Sequence, residues 1–171
     1  EAILTKAHAG IKEGYDSAHG GFGRTPKLPP HGTLKFLLTQ ATQPEVQEMA
    51  YHTLDRMAQG GIYDQIGGGF ARHSVDEKWF VPQFEKVLSD NAQLVSCYAR
   101  AYKLTAKPLY KTIVKETITW LEQDMLSPEG GFYSSINAYD DSSDNEEGES
   151  DSPYQWKEAE VGSLLGDAVE G

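Results

Sequence analysis

The feature that most constrains this chain is a glycine pair followed by an apolar residue. It recurs at Gly20-Gly21-Phe22, Gly60-Gly61-Ile62, Gly68-Gly69-Phe70 and Gly130-Gly131-Phe132. Glycine reaches positive φ without a steric penalty and ends helices, so each pair marks a place where the chain turns. The first, second and last pairs each follow an amphipathic stretch and precede a more apolar one. That alternation predicts helical hairpins made of an outer helix, a glycine loop and an inner helix. Stacked hairpins collect their loops at one end, beside the N-termini of the inner helices with their unpaired N–H groups. Such layers curve into a solenoid or close into a ring. A sequence that stops partway through a third unit is expected to hold about half of the ring, as a single all-α fragment over 1–171. The half ring is expected to expose apolar helix faces, and therefore to self-associate or to be marginally stable.

Leu4, Ala7, His8, Ile11, Tyr15 and Ala18 follow helical spacing up to Gly20. A short helix is expected over about Thr33–Thr39. A longer one follows Thr42-Gln43-Pro44-Glu45, where a hydroxyl and a carboxylate have capping-box spacing. Its buried face is Val46, Met49, Ala50, Thr53, Leu54 and Met57. The next helix is expected from near Pro82 to about Leu104, and between Asn91 and Ala99 it is uncharged, which predicts that protein surrounds it. Pro108 to about Leu126 reads as an outer helix, with Tyr110, Ile113, Val114, Thr117, Ile118 and Leu121 on one face and Lys111, Lys115, Glu122 and Gln123 on the other. Phe132–Asn137 alternates like a strand, and Tyr154-Gln155-Trp156 is its expected return strand. A last helix is expected near Glu158.

The net charge of −11 comes largely from one run, Asp140, Asp141, Asp144, Glu146, Glu147, Glu149 and Asp151, inside an expected acidic insertion at about 139–153. Elsewhere acids and bases nearly balance and no basic stripe appears, so nucleic acid and anionic membrane are not expected partners. No apolar run reaches the roughly 18 residues of a membrane span. The single Cys97 excludes an intrachain disulfide and a cysteine zinc site, and fits a reducing, cytoplasmic setting. His8, His19, His31, His52 and His73 form no H-E-x-x-H pair, and the acidic run lacks the ligand order of an EF-hand. No metal and no cofactor are expected. Gly67-Gly68-Gly69 lacks a following Gly-Lys-Ser/Thr and is not a phosphate loop.

Three stretches together are specific: Gly20-Gly21-Phe22-Gly23-Arg24-Thr25-Pro26-Lys27-Leu28-Pro29, then Gly60-Gly61-Ile62-Tyr63-Asp64-Gln65-Ile66-Gly67-Gly68-Gly69-Phe70, then Phe84-Glu85-Lys86-Val87-Leu88-Ser89-Asp90-Asn91-Ala92. In this order they resemble the helical region of the YyaL-like, spermatogenesis-associated protein 20 family, over nearly the whole chain. The resemblance implies a partial (α/α)6 toroid like the six-hairpin glycosidases and N-acylglucosamine 2-epimerases. It also implies a thioredoxin-like domain elsewhere in the parent chain, since that family normally carries one before the toroid. Gln83 stands where the family usually has a histidine, and Asn137-Ala138-Tyr139 enters a longer acidic insertion than the family's compact turn.

The candidate site lies among the loops and inner-helix starts. Glu85 is expected in the first turn of an inner helix as an acid or base, with Asp90 and Asn91 contacting sugar hydroxyls. The structural alternative is that these carboxylates complement the helix dipole. Asn91 interrupts the apolar stripe of Phe84, Leu88, Val95, Tyr98 and Tyr102, which favours a buried structural hydrogen bond. His73 suits proton abstraction beside a sugar carbonyl, and Asp64 suits the acid of a pair with Glu85 or Asp140. Alternatively, Asp64 and Asp76 tether a glycine-rich loop by accepting backbone N–H bonds. Lys27 and Arg72 are candidates for an anionic substituent, with surface charge as the default. Tyr133 is a candidate stacking platform, as are Trp79, Trp156, Tyr63 and Phe70, most of which are expected in packing. Three readings follow: a sugar epimerase or isomerase, a glycoside hydrolase, and a noncatalytic toroid that binds a carbohydrate or protein.

Overall fold

Helices form most of the backbone in the computed structural model, which describes residues 2–40, 43–137 and 154–166. The chain divides into two units, Glu1–Ile136 and Asn137–Gly171. The first holds α1 (Ala2–Gly14), α2 (His31–Leu37), α3 (Pro44–Gln59), α4 (Leu88–Thr105) and α5 (Pro108–Trp120), the last continuing as one π turn, Leu121–Met125. The second holds α6 (Glu158–Leu165), whose Glu160 carboxylate accepts the Lys157 N–H at 2.9 Å. No helix among the described residues is long and apolar enough to cross a membrane.

Local sequence explains the helix ends. Proline stands at the first turn of α3 and of α5, where no N–H is needed. Between α4 and α5 the chain reverses at Ala106, left-handed at φ 57°, and Pro108 restarts the helix two residues later. The apolar face read in α3 is the buried one, with Val46, Met49, Ala50, Thr53, Leu54 and Met57 all inside. Leu54, Met57, Phe70, Leu94, Tyr98 and Tyr110 meet in the core, each apolar side chain contributing about 1.5–3 kcal/mol by leaving water. Tyr98 is stacked on Phe70 with centroids 5.5 Å apart, and its hydroxyl donates to the Leu54 carbonyl at 2.8 Å.

The strands are short. β1 (His73–Ser74) pairs with β2 (Pro82–Gln83), and β3 (Lys86–Val87) pairs with β4 (Ser135–Ile136), both antiparallel. They correct the sequence reading in two places. The inner helix begins at Leu88 and not near Pro82, because the backbone of 82–83 and 86–87 is extended and committed to sheets. Glu85 therefore lies between two strands and not in a helical turn. The partner of β4 is β3; Tyr154-Gln155-Trp156 is not a strand.

Gly60-Gly61 is a second correction of kind. It is not a hairpin loop but a close contact at the end of α3, where a Cβ on Gly60 would stand 2.5 Å from the Trp79 carbonyl oxygen and one on Gly61 2.1 Å from that of Phe80. The α4 helix is also less enclosed than its lack of charge suggests: Ala92, Ser96 and Ala99 share a face and are exposed. Thr42 of the expected capping box lies outside the described residues, and α3 starts after Gln43 with no side-chain cap. The acidic insertion, with Asp140, is likewise outside them.

Candidate functional site

Two of the glycine loops are built alike. Tyr15-Asp16-Ser17-Ala18-His19-Gly20-Gly21-Phe22 and Tyr63-Asp64-Gln65-Ile66-Gly67-Gly68-Gly69-Phe70 share their tyrosine, aspartate, glycine pair and phenylalanine. Each closes as a tight ring with a bridge from tyrosine to phenylalanine, Tyr15 to Phe22 and Tyr63 to Phe70. Asp16 Oδ1 accepts the N–H groups of Ala18 and His19 at 2.9 and 3.0 Å, and Asp64 Oδ1 those of Ile66 and Gly67 at 2.9 and 2.8 Å. The aspartate backbone N–H bonds the second glycine carbonyl, at 3.0 Å in both loops.

A buried lysine then closes each ring. The Lys27 ammonium donates to Asp16 Oδ2 at 2.5 Å and to the Gly20 carbonyl at 2.7 Å. Lys86 donates to Asp64 Oδ2 and to the Gly68 carbonyl, both at 2.8 Å. Each ammonium also faces an indole, Lys27 at 5.4 Å from the Trp79 centroid and Lys86 at 5.0 Å from that of Trp120. Burial alone would raise the Asp16 carboxyl, but the Lys27 hydrogen bond and two backbone N–H groups outweigh it and hold the pKa at about 2. The same opposition leaves Asp64 below its ordinary value. Burial lowers the Lys86 ammonium, partly offset by Asp64.

These closures relocate several expected site residues. Lys27 is 2% exposed, so it is neither a surface charge nor open to solution. Asp64 is engaged by Lys86 and its own loop. Asn91 is wholly buried: its amide oxygen accepts the Phe70 N–H at 2.7 Å, and its amide nitrogen donates to the Phe70 and Val87 carbonyls at 3.0 Å each. It thus fixes the start of α4 to the second loop, the structural role favoured from its place in the apolar stripe. Asp76 accepts N–H bonds from Lys78, Phe80 and Val81, the expected tether.

Other residues remain accessible. Arg72 and Glu85 pair twice, backbone N–H to carbonyl at 2.8 Å and Nη1 to Oε2 at 3.0 Å, with Arg72 about half exposed. His73 is half-buried in β1, opposite Gln83. Tyr133 is 52% exposed beyond the third glycine loop. Asp90, in the first turn of α4, meets His31 of α2, with Nε2 and Oδ1 3.3 Å apart. Three pairings were not visible in the sequence: His31 with Asp90, Lys27 with Asp16 and Lys86 with Asp64. The visible signal was the repeated Tyr-Asp five residues before Gly-Gly-Phe. Among the described residues no cluster of three or more side chains is arranged to hold a metal ion.

No protein-family model matches the chain. It is 38% identical to human spermatogenesis-associated protein 20 over 168 residues, which is 94% of this chain and 21% of that protein. An uncharacterised protein of Caenorhabditis elegans is 34% identical over 177 residues, covering 98% of this chain and 24% of its own length. The resemblance carried by the three motif stretches therefore holds, and the chain spans about a fifth of the curated relatives it matches. Among solved structures, a sugar epimerase from a ruminal bacterium matches 75% of this chain and 36% of its own with a TM-score of 0.63 at 13% identity. Cellobiose 2-epimerase from Spirochaeta thermophila matches 80% and 41% with a TM-score of 0.61 at 19% identity. A family 76 glycoside hydrolase from a Bacteroides thetaiotaomicron strain matches 80% and 31% with a TM-score of 0.62 at 16% identity. At these identities the likeness establishes the fold, a partial (α/α)6 toroid of helical hairpins with short strands among its loops.

Proposed function

We propose that this chain contributes part of a sugar-handling site, with chemistry of the epimerase or isomerase type acting on a sugar or sugar derivative. The observation that carries the reading is the sorting of the charged groups. Lys27, Lys86, Asp16 and Asp64 are spent inside the loops, whereas Arg72, His73 and Glu85, between the second loop and α4, and Asp90, in the first turn of α4, stay at least partly open. Glu85 and His73 supply proton acceptors, Arg72 a donor for an anionic or hydroxyl substituent, Asp90 an acceptor for hydroxyls and Tyr133 an exposed ring for stacking. In this reading Lys27, Asp64 and Asn91 serve the site by fixing the backbone that presents those groups. The sugar epimerases among the structural neighbours support the choice of substrate class by analogy of fold.

The test uses the full-length protein in D2O with D-mannose, an N-acyl amino sugar and cellobiose, followed by proton NMR. Loss of the C2 proton signal is expected, and Glu85→Gln and His73→Asn are each expected to slow it by about 100-fold or more. New reducing-end signals instead would point to glycoside hydrolysis. Silence from folded protein would leave a noncatalytic toroid serving an attached thioredoxin-like domain, the reading that Gln83 favours by replacing the family's usual histidine opposite His73.

A further inference from the structure

The two closed loops put His31 and Asp90 in equivalent places. Each stands four residues after the lysine that closes its loop, His31 after Lys27 and Asp90 after Lys86. The repeat therefore brings corresponding positions of neighbouring units face to face, His31 on α2 and Asp90 on α4. The two side chains are neither fully buried nor loose on the surface, at 29% and 23% exposure. The segments that carry them are fixed nearby. Lys27 forms a bridge with Ser74, with backbone bonds of 2.8 and 2.9 Å, and Asn91, the neighbour of Asp90, is held by three hydrogen bonds. Cys97 Sγ, 3.7 Å from the His31 carbonyl oxygen, adds a weak contact between the same two helices.

A carboxylate accepts hydrogen bonds and donates none, so Nε2 carries the proton it shares with Asp90 when the ring is neutral. Nδ1 then presents its lone pair, and it has no hydrogen-bond partner among the described residues. This is the arrangement in which a carboxylate fixes the tautomer of an imidazole base and steadies the imidazolium it becomes.

We propose that the His31–Asp90 pair, joined across the α2–α4 contact, is a proton-transfer dyad for an aldose carrying a hydroxyl at C2, with His31 as proton carrier and Asp90 as its positioning residue. The proposal rests on the sugar reading above, adds His31 to it and assigns Asp90 to that ring in place of the sugar hydroxyls. In the forward step Nδ1 takes the C2 proton. The C2–H electron pair forms the C1–C2 double bond, and the carbonyl π pair moves to O1, which takes a proton from water. In the return step the enediol gives the O2 proton to water, C2 becomes the carbonyl carbon, and the imidazolium delivers its proton to C1. His31 is thus the base at carbon on one face, with Glu85 and His73 of the sugar reading acting on the O1 and O2 protons through that water, and the aldose becomes the 2-ketose with atoms and charge balanced.

The test uses the full-length protein in D2O with D-mannose. His31→Gln is expected to lower kcat about 100-fold or more while KM changes little. Asp90→Asn is expected to lower kcat and to shift the His31 ring, followed by 15N NMR, away from the Nε2–H tautomer. Unchanged melting temperatures in both variants would show that the losses are not due to unfolding, and His31→Asn repeats the test should the glutamine variant fail to fold. Retained kcat in a folded His31 variant, with Glu85→Gln inactive, overturns the dyad and leaves the sugar reading standing. No C2 exchange by the wild-type protein overturns both.

Discussion

In the loops Tyr15–Phe22 and Tyr63–Phe70 a lysine ammonium sits inside the ring, bonded to an aspartate and a glycine carbonyl and faced by an indole. The loop Leu126–Phe132 is one residue shorter but closes through the same pair of contacts, a Leu126 to Phe132 bridge and the Ser127 N–H bonded to the Gly131 carbonyl at 2.8 Å. Its aspartate position is Ser127, and no lysine bonds it among the described residues. The glycines differ correspondingly. A Cβ on Gly21 would meet Trp79 at 2.6 Å and one on Gly69 would meet Trp120 at 2.6 Å, whereas Gly130 and Gly131 have nothing within 4 Å. All three loops thus need glycine for their positive φ, but only the first two need it for space. The glycine pair specifies the turn, and the aspartate, lysine and indole specify what the turn is packed against.

Removing a closing lysine is the largest break. Lys86→Met leaves the Asp64 carboxylate only a fifth exposed with its cation gone, and a loss of about 3 kcal/mol or more is expected. Lys27→Met should match it, since Lys27 is as deeply buried and its aspartate as little exposed. Urea unfolding of the three proteins measures both. A loss below about 1 kcal/mol in either would mean that the loop closes without its lysine, and the likeness of the two loops would be superficial.

The glycines sharpen the contrast with the third loop. Gly131→Ala meets only the backbone penalty of an alanine at positive φ, about 1–2 kcal/mol. Gly69→Ala meets the same penalty, and its methyl must also displace the Trp120 ring, which adds about 1–3 kcal/mol. The expected order in thermal or urea unfolding is therefore Gly69→Ala well below Gly131→Ala. Equal losses would show that Trp120 moves aside freely and that the second loop is no tighter than the third.

Much of this was legible in the residues. The helices follow from period and punctuation, and the buried face of α3 is the one its apolar spacing marks. The loops were legible as turns but miscounted, because Gly60-Gly61-Ile62 has the same local pattern as a hairpin loop. Only its contact with Trp79 and Phe80, remote in sequence, distinguishes it. Burial of Lys27 and Lys86 was illegible for a related reason: a lysine goes inside only when a particular carboxylate and carbonyl await it, and those partners are fixed by tertiary structure. The start of α4 was misplaced because residues 82–87 are drawn into sheets with 73–74 and 135–136, pairings that helical spacing does not reveal. Of the candidate site residues, Glu85, Arg72, His73 and Asp90 are at least partly exposed, but Glu85 lies between two strands and not in the helical turn read for it. The pairing of His31 with Asp90 was illegible because it is a contact across 59 positions.

The smallest expected effect separates the two closed loops from each other. Loop one rests on α3 at His52-Thr53, where a Cβ on Gly20 would stand 2.9 Å from the Thr53 Cα, and loop two on α5 at Glu116-Thr117, where one on Gly68 would stand 2.8 Å from the Glu116 carbonyl oxygen. The threonines are equivalent in place but not in bonding. Thr53 Oγ1 accepts the Gly21 N–H and donates to the Met49 carbonyl, both at 2.8 Å. Thr117 Oγ1 is buried without a partner. Thr53→Val removes the acceptor from a buried N–H and is expected to destabilise by about 1–2 kcal/mol. Thr117→Val replaces an unpaired hydroxyl with a methyl of similar size and should be neutral within about 0.5 kcal/mol, or slightly stabilising. Unfolding midpoints of the pair give the answer directly. A matching loss at Thr117 would mean that its hydroxyl is bonded in solution, and the second loop would then be seated on its helix in the same way as the first.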